Sequence, residues 1–263
     1  MSRHFLILST ALLALSACGG SADPDGIRTD QGYANAMDVG RDSFDMTHAE
    51  QAKAQFETAY DRALLRDDAD DLRDAGYNLA IAELTMGNSS KALATVARVR
   101  HDLSLRTDPS SPALDLVAMA AYCRLGQYRE ALDQGRRVRT NDPALLERLA
   151  FLTGLAADGV GDGTTLASAL NALPLPSKKA PLLEQADRAE LVSRLALRQG
   201  AFDQAESEAL KAAGLRRDRL DYRGMARALD CAAQAARGAG AGGRAAAYAQ
   251  RAAQSREQAS PPG

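Results

Sequence analysis

From about residue 33 to residue 254, apolar positions recur every three or four residues and polar ones fill the remaining faces. That spacing predicts helices buried along one side. No stretch alternates Val, Ile, Thr or aromatic residues between hairpin turns, so no sheet is expected. The helical runs are punctuated at regular intervals. In LGQYREAL, residues 125–132, a helix stops at Gly126, turns through Gln127 and Tyr128, and restarts with Ala131 as its first packing residue. Glycine and alanine five apart recur at Gly87/Ala92, Gly200/Ala205 and Gly240/Ala245. Gly161 keeps the period with Leu166 in the alanine's place, and Thr47/Ala52 precedes the series. Glycine at such points predicts a left-handed helix end, and the small residue after it a close helix crossing.

Composition narrows the core. Aromatic residues are 5% of the 263 and Trp is absent, so Ala and Leu must do the packing, which suits closely spaced helices. The formal net charge of -2 gives no long-range pull on nucleic acid. The clusters Arg136, Arg137, Arg139 and Arg216, Arg217, Arg219 are expected to be solvated helix ends.

The punctuation resembles the tetratricopeptide repeat, a helix–turn–helix unit with a small residue, a turn glycine, an aromatic, an alanine and a closing proline at set offsets. Tyr122, Gly126, Tyr128, Ala131 and Pro143 carry the likeness in 112–143; Gly200, Phe202, Ala205, Ala209 and Ala212 carry it in a second repeat. Residues 74–99 keep Gly87, Ala92 and Val99, residues 147–173 keep Gly154 and Gly161, and 226–252 is nearly all Ala, Arg and Gly. The resemblance implies an all-α, right-handed solenoid of five to six repeats. It also implies a concave groove, lined by each first helix, that holds a protein or peptide partner. In that frame the groove residues are Tyr77, Ile81, Leu84, Leu116 and Ala120, then Glu190, Arg194, Leu197, Arg227, Asp230, Gln234 and Arg237. The N-terminal half of the groove is then apolar and the C-terminal half charged. No Lys/Asn pattern for clamping a C-terminal carboxylate is present.

The ends read differently. Residues 1–17 have a short basic head and an apolar stretch too short to span a bilayer, the shape of a secretion signal. Leu15-Ser16-Ala17-Cys18 resembles the lipobox of bacterial lipoproteins, which implies cleavage before Cys18 and acylation of its thiol. Gly19 in place of Asp implies, by analogy with enteric bacteria, an outer-membrane anchor facing the periplasm. Residues 18–32 read as a flexible tether and 255–263 as a disordered tail. Pro174, Pro176 and Pro181 make the sharpest break, 174–181, dividing repeats over 33–173 from those over 182–254 as either a hinge or a stiff corner.

Little catalytic chemistry is visible. Beyond the signal there are only His48 and His101, with Cys123 and Cys231 expected as small buried side chains. No CxxC, HExxH, GxSxG or phosphate-loop pattern occurs, and no cofactor or metal site is expected. GVGDGTT, 159–165, and DDADD, 67–71, are expected to be inter-helix turns. The expected function is a non-catalytic, membrane-anchored periplasmic scaffold, serving envelope or outer-membrane machine assembly. The alternatives are a peptidoglycan-related envelope enzyme or its regulator, working through groove carboxylates, and a self-assembling structural lipoprotein.

Overall fold

The computed structural model describes residues 29–175, 177 and 179–259. Within them lie α1 (Gln31–Asp45), α2 (Ala49–Arg66), α3 (Ala69–Thr85), α4 (Ser89–Ser104), α5 (Pro112–Arg124) and α6 (Tyr128–Gly135). After these come α7 (Pro143–Val160), α8 (Gly163–Ala172), α9 (Leu182–Arg198), α10 (Phe202–Arg217), α11 (Tyr222–Gly238) and α12 (Gly242–Gln258). No strand occurs among the described residues. The signal sequence 1–17, Cys18 and the tether up to residue 28 lie outside them, as do 260–263.

Consecutive helices pair into six helix–turn–helix units. Helix starts follow from local chemistry. Asp30, Asp68, Ser111, Asp142, Asp162 and Asp221 each accept a backbone N–H from the first turn of the helix they precede. Pro112 and Pro143 stand at first helical positions, where a missing N–H costs nothing. DDADD and GVGDGTT are such capped turns, as expected.

The ends are equally regular. Gly87, Gly126, Gly161, Gly200 and Gly240 all have positive φ, between 72° and 86°. The amide after each donates back across the turn to the carbonyl five residues earlier, as Gln127 does to Tyr122 at 2.9 Å. His48 makes the same bond to Ser43 in the first unit, behind Thr47 at φ 64°. Five residues past each turn residue stands a buried side chain: Ala52, Ala92, Ala131, Leu166, Ala205 and Ala245. Thr47 alone bears a β-branched side chain in this left-handed position, a strained conformation for it. Thr47→Gly should therefore raise stability by about 0.5–1 kcal/mol, seen as a higher unfolding midpoint; a lower midpoint would show that the Thr47 side chain has a compensating role.

Units stack through a repeated contact. The Tyr128 ring lies against Gly159 of the next unit, where a Cβ would come within 2.3 Å of it. Phe202 lies against Gly238 in the same way, with a Cβ at 2.2 Å. One apolar cluster runs from Ala36 on α1 to Leu191 on α9, and smaller alanine-rich clusters bind α9 to α12.

Two boundaries differ from expectation. The tether was expected to reach residue 32, but α1 begins at Gln31, because the Asp30 side chain caps it and also pairs with Arg62 at 2.8 Å. The tail was expected from residue 255, but α12 runs to Gln258, because Ser255 is buried and donates to the Arg251 carbonyl at 3.0 Å. At the proline-rich break, α9 packs directly on what precedes it. Leu191 occupies the space at Gly154 where a Cβ would stand, and Arg188 donates to the carbonyls of Leu170 and Leu173 at 3.0 Å.

Candidate functional site

First helices of all six units converge on one cavity of about 560 Å³. Phe44 of α1, Tyr77 and Ile81 of α3, and Leu116 and Val117 of α5 give it an apolar floor, extended by Leu145 of α7 and Leu183 of α9. Arg124, Arg148, Arg216, Arg223 and Arg227 stand over that floor with only Asp187 and Asp221 among the lining carboxylates. Arg223 closes the ring of helices by donating to the Thr85 carbonyl of α3 at 3.1 Å, across 138 residues of chain.

Behind the groove lies a buried ion network. Glu190 has no exposed surface and accepts from Arg227 at 2.7 Å, Arg194 at 2.9 Å and Arg216 at 2.9 Å. Arg216 also pairs with Asp187 and Asp221, each at 2.5 Å, and Arg194 reaches Asp158 of α7 at 2.6 Å. Arg148, Arg216 and Arg227 all stand within 5.4–5.7 Å of the buried Phe151 ring centre. Burial by itself would raise the Glu190 carboxyl, but Arg227, Arg194 and Arg216 outweigh it and hold it far below the usual range. Asp187 goes the other way, pushed up by burial against the pull of Arg216 and Arg148.

The remaining groove arginines are poorly compensated. Arg124 donates to the Leu84 carbonyl, and Arg223 to the carbonyls of Thr85 and Ala259, all neutral acceptors. Arg148 stands 3.6 Å from Asp187, which is already held by Arg216. Desolvation in the groove, then repulsion from Arg223, Arg227 and Arg148, pushes the Arg124 guanidinium down to about 10. Burial likewise lowers Arg148 and Arg223.

The expected groove residues divide accordingly. Tyr77, Ile81, Leu84, Leu116, Ala120 and Arg227 line the cavity of the first helices together. Arg194 meets Ala120 and Arg227 at a smaller adjoining cavity, and Asp230 meets Arg227 at another. Leu197 packs among alanines of the C-terminal units instead, and Gln234 and Arg237 lie exposed away from these cavities. Glu190 is corrected: as a wholly buried hub it offers a partner nothing to touch. Arg216 is corrected too, from a solvated helix end to a side chain holding three carboxylates. Arg124 and Arg223 escaped the sequence frame, although each extends an expected row by one helical turn, Leu116–Ala120–Arg124 and Arg223–Arg227.

The architecture is a tetratricopeptide-like α-solenoid. No family model matches the chain, and no curated protein matches it. Among solved structures it is similar to the TPR2AB-domain:pHSP90 complex of yeast Sti1, at 17% identity and a TM-score of 0.37. The likeness covers 85% of this chain and 98% of that one. At that score the architecture rests on this chain's own six turns and their spacing. Among the described residues no helix is long and apolar enough to cross a membrane, and no cluster of His, Cys, Asp or Glu could hold a metal. Cys123 and Cys231 are free, their thiols pushed up by burial to about 11.

Proposed function

We propose that the chain is a lipid-anchored scaffold of the bacterial envelope, facing the periplasm from the outer membrane, that holds a protein or peptide partner in the groove. The supporting observation is the convergence of the first helices of all six units on one apolar-floored cavity. The anchor rests on residues 1–18 alone, through the apolar stretch and Cys18. A scaffold needs no catalytic group, and two of the groove carboxylates on which the enzyme reading would draw are already engaged. Glu190 is buried among three arginines, and Asp230 is bound by Arg256 at 2.7 Å.

The test is in-cell crosslinking of the lipidated chain and recovery of what comes with it. Tyr77→Ala/Leu116→Ala should remain folded and lose the partner that wild type recovers. Leu116 is buried, so Tyr77→Ala/Ile81→Ala, at more open positions, is made in parallel. Unchanged recovery by both folded variants rejects this groove as the partner site.

A further inference from the structure

Among the described residues three groove arginines lack a close carboxylate, and they come from three different units. Arg124 on α5 uses Nη1 for the Leu84 carbonyl, which leaves Nε and Nη2 unengaged among the described residues. Arg223 on α11 makes both its hydrogen bonds through Nη2. Arg148 on α7 has, among the described residues, its one carboxylate partner at 3.6 Å, beyond hydrogen-bond reach, and otherwise rests on Phe151. Five arginines against two aspartates line the cavity; Arg216 holds both aspartates and shares the buried Glu190 behind them with Arg227, which leaves Arg124, Arg148 and Arg223 as the surplus. The surplus is positive and sits beside an apolar floor, in a chain whose net charge is -2. Like charges gathered in a crowded groove repel one another until an anion arrives. Guanidinium is suited to that anion being a carboxylate, which its fork can grip through two parallel bonds.

We infer that the occupant of this groove is an acidic peptide segment with apolar anchors, its carboxylates on Arg124, Arg148 and Arg223 and its apolar side chains over Tyr77, Ile81 and Leu183. The inference rests on the groove being the partner site, as proposed above, and adds what the partner must carry. Cations drawn from three units call for several carboxylates along one chain. The apolar floor calls for side chains between them. A nucleic acid backbone would supply the charge but leave that floor uncovered.

The test is selection of random dodecamer peptides on the immobilised full mature chain, followed by anisotropy titration of the labelled consensus. Recovered peptides should be rich in Asp and Glu alongside Leu, Ile or Phe, and poor in Lys and Arg. Changing the acids of the consensus to amides should weaken binding at least tenfold, and added salt should weaken it further. Arg124→Gln and Arg223→Gln should each cost about tenfold, while Arg217→Gln on the outer surface should cost nothing. Arg124→Gln should unfold no earlier than wild type, because it removes one of a set of mutually repelling charges; an affinity lost together with stability would overturn the assignment to Arg124. Peptides recovered without acidic enrichment overturn the inference but leave the partner groove standing. If no peptide is recovered and dodecanoate binds instead, both fall.

Discussion

Glu190→Ala is expected to lower the stability of the chain by about 3–5 kcal/mol, the usual cost of removing one partner from a buried ion network. At this size that is a fall of roughly 6–20 °C in unfolding midpoint. The cost is large because the carboxylate is shared. Arg194 belongs to α9, Arg216 to α10 and Arg227 to α11, and Arg194 continues to Asp158 of α7. Without Glu190, Arg194 and Arg216 keep other carboxylates, but Arg227 loses both its hydrogen-bonded contacts and is left over the Phe151 ring. Glu190→Gln keeps the shape and removes the charge, so it should recover only part of the loss. The pH dependence has a definite sign. The folded carboxyl lies far below its unfolded value, so its contribution is complete above the ordinary carboxylate range and drains away as pH falls towards the folded value. Wild type should therefore lose stability from about pH 5 downward more steeply than Glu190→Ala. Parallel profiles, or a midpoint shift of only a degree or two, would show that the network merely tolerates Glu190.

Much of the architecture was legible because its punctuation is set by local sterics. A left-handed helix end selects glycine, and the crossing five residues on selects a small side chain, so Gly126 and Ala131 carry the turn whatever surrounds them. Thr47 was legible by period alone, since its side chain opposes the conformation. The apolar half of the groove was legible for a similar reason: Tyr77, Ile81 and Leu116 fall on one face of helices whose register the turn glycines fix. The charged half was not. Whether an arginine at a helix end is drawn inside to distant carboxylates or left at the surface depends on units far along the chain: Arg216 is buried on three carboxylates, while adjacent Arg217 stays exposed and pairs only with its neighbour Asp218. Glu190 illustrates the same limit. Its position on α9 placed it towards the interior of the solenoid, but only the convergence of α10 and α11 decides that three guanidiniums cover it.

The proline-rich segment raised a choice between hinge and corner, and Leu191→Ala is the substitution whose effect divides them. Leu191 lies on α9, just past the break, yet it belongs to the apolar cluster built mainly by α1 to α8. It is fully buried and fills the space against Gly154, where any larger residue on α7 would collide with it. Truncating a leucine so enclosed removes its transfer energy and leaves a cavity, a loss of about 2–5 kcal/mol. Little collapse can relieve that cavity, because Gly154 has no side chain to move into it. The clamp beside it, Arg188 on the carbonyls of Leu170 and Leu173, holds the end of α8 but buries little apolar surface. Leu191 therefore couples the N-terminal units to the C-terminal ones more than the connecting chain does. Unfolding of wild type in urea should be a single transition, since stacked units share their interfaces. In Leu191→Ala the transition should move to lower urea and broaden or split, as α9–α12 come apart from α1–α8 before either unfolds. A shift of under about 0.5 kcal/mol with an unchanged slope, the size of a surface substitution, would mean that α9 swings free of α7 on the proline segment. The packing at Gly154 points to the larger loss: a corner held by side chains, with the prolines only preventing helix from forming through it.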